Sequence, residues 1–168
     1  IEPYKPYFIP INKHGLNSRE NIIRLEKLFE SDKCIVIFPS GLVSRKKNGI
    51  VKDLEWRKAF VTKAKKHNKP IYPVYISGQN SNRFYKIAKW RSLIGIKINL
   101  EMFFLVDEMF KQKGNTIKIT MGKIIEPKLL DNKKNDSEWA QAIKNHVYKI
   151  QNNINFEFIE SIKNEKNY

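Results

Sequence analysis

Apolar and polar positions along this chain fall into two periods. Ile22, Leu25, Leu28 and Phe29 recur at helical spacing, and Asn17 with Glu20 three residues on has the form of a capping box. This predicts a helix over 18–30, closed by Ser31 and Asp32. Cys34, Ile35, Val36, Ile37 and Phe38 then form an uninterrupted apolar run rich in β-branched side chains, the pattern of a strand buried on both faces. Pro39 has no N–H to give a ladder and ends it. After a polar loop over 39–53, Asp53 is placed to cap a helix over 54–67 with Trp56, Ala59, Phe60 and Ala64 as its buried stripe. A second β-rich run, 71–76, ends in a loop holding Gly78, Asn80 and Ser81. Strand, helix and strand at this spacing predict a βαβ unit with parallel strands and a right-handed crossover.

The flanks extend the alternation. Residues 7–13 read as a short strand that Pro10 marks as edge or bulge, turned by His14 and Gly15. Helices are predicted over 84–90 and 100–110, a strand over 116–121 ending at Gly122, and a long helix capped by Asp136 or Ser137. That helix carries Trp139, Ile143, Val147, Ile150 and Ile154 on one face, with Phe158 and Ile162 continuing it. The fold class expected is α/β, a mostly parallel sheet flanked by helices in one domain over 1–168. A strand this close to residue 1 suggests a domain whose N-terminal part lies outside these residues.

Composition narrows the setting. At 168 residues with 41% apolar content, the chain is long enough to bury roughly 70% of its unfolded surface. Cys34 is the lone cysteine, so no internal disulfide or cysteine-based metal cluster can form, which suits a reducing compartment. The longest apolar runs, 34–38 and 102–106, fall far short of the ~20 residues of a membrane span. The formal charge of +15 suits polyanions: nucleic acid, an anionic bilayer or phosphorylated substrates. With six arginines and the remaining basic residues all lysine, a biased source composition explains the same excess.

The chain has no Walker-type phosphate loop, no Gly-x-Gly-x-x-Gly and no paired-cysteine zinc pattern. His14, His67 and His146 stand apart, and none has Asp five positions later. His67 sits near a predicted helix C-terminus, where the dipole favours a cation; His146 lies on the long helix. His14 adjoins a strand-end glycine and is the histidine nearest the candidate loop. The most informative stretch is the exit of the 34–38 run. Gly41 permits a sharp turn, Ser40 and Ser44 bring hydroxyls, and Arg45 brings a permanent cation. Open parallel sheets bind ligands at such strand-to-loop exits, although an ordinary loop has the same composition.

Phe38-Pro39-Ser40-Gly41-Leu42-Val43-Ser44-Arg45 resembles the substrate-binding block of the glycerolphosphate and lysophospholipid acyltransferases, which typically reads Phe-Pro-Glu-Gly-Thr-Arg-Ser. The Pro-x-Gly-x-Val-Ser form is nearer to the haemolysin-type branch, which includes aminolipid acyltransferases. Residues 71–76 resemble the later Val-Pro-Val strand, and Phe8-Ile9-Pro10-Ile11-Asn12-Lys13 the earlier Phe-Ile-x-Arg block, with Lys13 in the place of Arg. Gly78-x-Asn80-Ser81-x-x-Phe84-Tyr85 also resembles the haemolysin-type branch. In order, these blocks cover most of residues 7–125.

The resemblance implies transfer of a fatty acyl group from an acyl carrier protein or CoA thioester to a hydroxyl of a lyso-phospholipid or lyso-aminolipid, with no cofactor. It implies a substrate site built from Lys13, Phe38, Pro39, Ser40, Gly41, Ser44 and Arg45. Lys13, the 38–45 loop and the end of strand 71–76 are expected to line one positively charged groove. The family's His-x-x-x-x-Asp motif, whose His is the general base, lies upstream of these blocks and has no match in this sequence. No catalytic residue is therefore assigned here, and the 168 residues alone are expected to be inactive. Ser40 stands where the family has Glu, and Leu42 and Val43 where it has Thr and Arg. A carboxylate and a phosphate-binding cation are thus missing, while Lys13 and Arg45 remain for an anionic head group.

The partners expected are an anionic membrane surface, the acyl thioester and the lyso-lipid, at the cytoplasmic face of the membrane, without specific nucleic acid. Two other readings stay open. One is a non-catalytic basic module that binds nucleic acid, with Tyr85 and Trp90 stacking beside Arg83, Lys86 and Arg91. The other is a degenerate relative that binds lipid without turnover.

Overall fold

A computed structural model describes residues 7–9 and 18–164. The elements in order are α1 (Arg19–Glu30), β1 (Arg45–Lys47), β2 (Ile50–Lys52), α2 (Ala59–Lys66), β3 (Val74–Ile76) and α3 (Asn82–Leu93). A 3₁₀ turn (Leu100–Phe104) leads into α4 (Leu105–Phe110), then come β4 (Ile119–Met121), a second 3₁₀ turn (Pro127–Leu129), α5 (Asp136–Ile150) and α6 (Phe158–Asn164). Of the predicted strand over 7–13, residues 10–13 lie outside the described residues, and 7–9 form no strand.

The core is built around α5. Its stripe of Trp139, Ile143, Val147 and Ile150 is buried, as the spacing predicts. Against it α2 packs Phe60 and Val61, and α6 packs Phe158; Ala64 of α2 is also buried. Each large apolar side chain so buried contributes about 1.5–3 kcal/mol relative to exposure. Asn135 caps α5: its side chain accepts from the Ser137 and Glu138 N–H groups, while Glu138 accepts from the Asn135 N–H at 2.7 Å. The capping box thus starts one residue before the predicted caps. Ser18 likewise caps α1 in place of Asn17, accepting from the Asn21 N–H. Glu26 ties α1 to α2 by accepting from Lys63, from Lys66 and from His67 Nε2, the last at 2.9 Å. His67 is the C-cap of α2 and stacks on Phe29, a structural placement in keeping with its sequence context.

The chain is mixed α/β, but the parallel sheet is not found among the described residues. Both sheets there have two strands and are antiparallel: β1 with β2, and β3 with β4. Between β3 and β4 the chain passes through α3 and α4 and returns in the opposite direction, pairing Val74 with Met121 and Ile76 with Ile119. Ile71 extends this pairing through a bridge to Ile125. Gly122 lets the sheet meet the core closely, since a Cβ there would come within 3.0 Å of Ile150 and 3.2 Å of Pro73.

The 34–38 run forms no strand. A ladder needs a neighbour, and among the described residues none runs beside it; Val36 is 76% and Phe38 73% exposed. Helix α2 also starts later than predicted, with Lys58 as its N-cap. The carboxylate of Asp53 instead accepts from the Ser44 hydroxyl and the Trp56 indole, and 53–57 lies in neither helix nor strand. Ala59 is exposed and Val61 takes its place in the stripe; Ile154 is exposed beyond the end of α5, and α6 is a separate helix.

His146 is fully buried on α5, with Nδ1 3.0 Å from Ser161 Oγ and its ring packed on Phe156 and Phe158. Burial, with Lys149 nearby, lowers its pKa from 6.5 to about 4. The unfolded chain takes up this proton near pH 6.5, whereas the folded chain does so only near 4. The stabilisation is therefore complete above pH 6.5 and is lost as pH falls toward 4. Urea unfolding should show about 2–3 kcal/mol less stability at pH 4.5 than at pH 7. His146→Gln should flatten that slope, and an equal slope in the variant would assign it to other groups.

Candidate active-site loop

The loop after Phe38 is held by its own short-range bonds. Gly41 N–H donates to the Phe38 carbonyl at 3.1 Å, closing a turn that Gly41 completes at φ 65°. Ser40 Oγ donates to the Leu42 carbonyl at 2.7 Å, and the Arg57 N–H donates to the Pro39 carbonyl at 3.1 Å. Beyond it, β1 and β2 form a hairpin whose turn is Asn48-Gly49, both at positive φ. Asn-Gly is the dipeptide that type I′ turns require, and it was available in the sequence as the signal for this hairpin within the predicted loop.

Two staples fix the hairpin base to the rest of the molecule. The first is Ser44 Oγ donating to Asp53 Oδ1 at 2.5 Å. Asp53 in turn is anchored to α5: its N–H donates to the Tyr148 hydroxyl at 2.8 Å, and Lys144 Nζ donates to the Asp53 and Leu54 carbonyls. Desolvation lowers the pKa of Lys144 and raises that of Tyr148. The second staple is Arg45. Its NH2 donates to Glu101 Oε1 at 2.6 Å and its NH1 to the Val43 carbonyl at 2.7 Å. The other oxygen of Glu101 accepts from Arg91 Nε at 2.9 Å, and Arg91 NH1 reaches the Ile96 carbonyl at 2.7 Å. Glu101 is fully buried, so one carboxylate is shared by two guanidinium groups away from water.

Of the predicted site residues, Phe38, Pro39, Ser40, Gly41, Ser44 and Arg45 lie in this one loop and hairpin base, with Phe38 turned outward. Lys13 lies outside the described residues, and with it that side of the expected groove. Next to Arg45, Lys46 Nζ donates to Asn82 Oδ1 at 2.8 Å, bringing the hairpin to the start of α3 beyond strand β3. The Gly78-to-Tyr85 block is the start of that helix. Ser81 caps it by accepting from the Phe84 N–H, the buried Glu108 accepts from the Ser81 N–H and hydroxyl, and the Asn80 N–H donates to the Tyr85 hydroxyl. Lys111 and Ser81 together hold the Glu108 pKa below the usual carboxylate range, against the opposing effect of its burial. Phe84 and Tyr85 are buried edge to face, so Tyr85 offers no exposed face for base stacking.

Neither described histidine adjoins the loop: His67 is bonded to Glu26 and His146 sits in the core. Among the described residues no cluster of His, Cys, Asp and Glu could hold a metal ion. The loop's cations are held in place, Arg45 by Glu101 and the Val43 carbonyl and Lys46 by Asn82. Sequence reading missed Glu101, which holds Arg45 of the loop, and Glu108, which holds the start of α3. Their signal was two acids set within apolar stretches of a strongly basic chain.

Comparison with known proteins places the chain in a family. The acyltransferase family's sequence model matches residues 1–156. The chain belongs to that acyltransferase family. It is 43% identical over 145 residues to a lyso-glycine lipid O-acyltransferase of Phocaeicola vulgatus, covering 86% of this chain and 52% of that protein. It is 39% identical over 145 residues to a lyso-glycine lipid O-acyltransferase of Bacteroides thetaiotaomicron, covering 86% and 53%. The chain thus spans about half the length of these curated relatives. No solved structure matches it.

The buried ion triad sets an expected stability cost. Glu101→Ala leaves two guanidinium groups facing each other with no carboxylate, which should cost about 3–5 kcal/mol and lower the melting temperature by roughly 10 °C. Replacing Arg45, Arg91 and Glu101 together by leucine should recover most of that loss. A Glu101→Ala protein that melts with the wild type would show that the triad adds nothing to the fold.

Proposed function

We propose that this chain forms the acceptor-recognising part of an O-acyltransferase acting on a lyso-lipid with an amino-acid head group of the glycine type. The observation that carries the reading is the position of Arg45. The block that resembles the family's substrate-binding motif folds as one loop, and a buried carboxylate fixes its cation in place. A preset guanidinium suits a head-group carboxylate. The names of the relatives supply the acceptor class. Ser40, where the family has Glu, suits the same choice, since a carboxylate there would repel an acceptor carboxylate.

In the reaction the acceptor hydroxyl attacks the thioester carbonyl. A new ester C–O bond forms, the C–S bond breaks, and the hydroxyl proton ends on the departing thiol of the acyl carrier protein or CoA. The base that receives that proton first belongs to a His-x-x-x-x-Asp motif, which these 168 residues do not contain. Peripheral attachment to the cytoplasmic leaflet, where lyso-lipid and acyl thioester meet, belongs to the same proposal.

Incubation of the chain with lyso-glycine lipid and acyl thioester, read by mass spectrometry, should give no diacylated product. Joining it to an upstream segment that carries the His-x-x-x-x-Asp pair should give turnover. In that active form Arg45→Ala should lower kcat/KM about 10–100-fold, the worth of a charged hydrogen bond, while Lys128→Ala on the exposed 3₁₀ turn leaves it unchanged. Robust transfer by the 168 residues alone would overturn the placement of the base. Equal effects of the two substitutions would remove Arg45 from substrate binding.

A further inference from the structure

Helix α3, the 3₁₀ turn at Leu100–Phe104 and α4 form a hairpin with two unlike faces. Its inner face is fastened by polar and cation–π contacts: Arg91 to Glu101, the Arg83 guanidinium 5.0 Å from the Phe104 ring centre, and Ser81 to Glu108. Its outer face is apolar and open. At the end of α3 and the tip, Trp90 is 66%, Leu93 74% and Ile98 68% exposed, with Ile94 beside them. On the return, Phe103, Val106 and Phe110 are also exposed. A shallow depression of about 410 Å³ between Lys86, Ile87, Lys89, Trp90 and Leu93 marks the α3 side.

The charge around this face favours one occupant. Lys86, Lys89, Lys97, Lys111 and Lys113 are exposed along the hairpin and its end. Of the three acids between residues 83 and 113, Glu101 and Glu108 are buried and paired, leaving Asp107 as the exposed one. A second copy would bring the same lysines against themselves in a chain of net charge +15. An anionic leaflet instead accepts both components, the lysines at the head groups and the apolar side chains just beneath. Trp90, amphipathic and next to Lys89, belongs at that boundary. Among the described residues no helix is long and apolar enough to cross a membrane, so the geometry is that of an element lying in the interface.

We propose that the α3–α4 hairpin is the membrane-docking element and that its Trp90–Leu93–Ile98 tip inserts into the interface of an anionic bilayer. It deepens the lyso-lipid reading by naming where the chain meets the surface that holds its acceptor. Glu101, which holds Arg45, sits on the same hairpin, so docking and loop position share one rigid element.

The chain carries its own reporter, because Trp56 and Trp139 are buried and Trp90 is exposed. Phosphatidylglycerol vesicles should co-sediment the chain and shift its fluorescence to the blue. Brominated acyl chains should quench it, and phosphatidylcholine vesicles or high salt should weaken binding. Trp90→Phe should keep sedimentation and remove the shift. Leu93→Glu with Ile98→Glu, at exposed positions, should leave the melting temperature unchanged and weaken sedimentation roughly tenfold or more. Lys86→Glu with Lys89→Glu should weaken it and lessen its salt dependence. Unchanged binding of the Leu93/Ile98 variant, or no change in Trp90 emission on bound vesicles, would overturn the proposal. So would a dimer that the same variant disperses while vesicle binding persists, which would assign the face to self-association. None of these measurements needs turnover, so their failure leaves the acyl-transfer reading standing, and an inactive enzyme leaves docking to be judged by itself.

Discussion

One buried carboxylate organises the side of this molecule that carries the candidate loop. Glu101 accepts from Arg45 on one oxygen and from Arg91 on the other, with no exposure to solvent. Desolvating a carboxylate is costly, and two cations with directed hydrogen bonds are what make the position tenable. The arrangement links three separate stretches: the loop after Pro39, the end of α3 and the 3₁₀ turn before α4. An isolated loop of serines and glycine would sample many shapes. Here the cation at its end is held by a partner 56 positions away in sequence.

The remainder of the fold divides the work. The packed core of α2, α5 and α6 supplies stability through Trp139, Ile143, Val147 and Phe158. The hairpin of α3 and α4 contributes few apolar side chains to that core and is secured by polar and charged contacts instead. Asp53 joins the core to the candidate loop, because its backbone is held by Tyr148 and Lys144 of α5 while its carboxylate holds Ser44. Loop geometry and core integrity are thereby coupled through a single residue that sequence reasoning placed as a helix cap.

Legibility in the sequence followed the range of the interactions. The starts of α1 and α5 were readable because amphipathic periodicity and capping residues are local properties, and they moved by only a residue or two where Ser18 or Asn135 took the cap. Helix α3 runs beyond its predicted 84–90, the first half of the predicted 100–110 helix is 3₁₀, and α5 stops at Ile150, short of Ile154. The Asn48-Gly49 hairpin was equally local and was overlooked within a loop assignment. Strand partnership was not legible. Residues 71–76 read correctly as β-rich, but nothing in their composition says that β4 pairs antiparallel, and 34–38 has a strand's composition without a ladder partner among the described residues. The candidate loop was visible as a motif, whereas its ion triad joins residues whose proximity only the fold creates.

The 34–38 run, with no ladder partner among the described residues, has a colloidal consequence. Its five successive apolar residues, ending in the exposed Phe38, keep their backbone N–H and C=O groups outside any ladder among the described residues. Such a segment is a template for adding a foreign strand, the first step of ordered aggregation. What keeps copies of the chain apart is long-range repulsion from a net charge of +15. That repulsion reaches only about 8 Å at physiological ionic strength and about 3 Å at 1 M. Salt, which usually aids the handling of basic proteins, would here remove the barrier that keeps this edge from finding another.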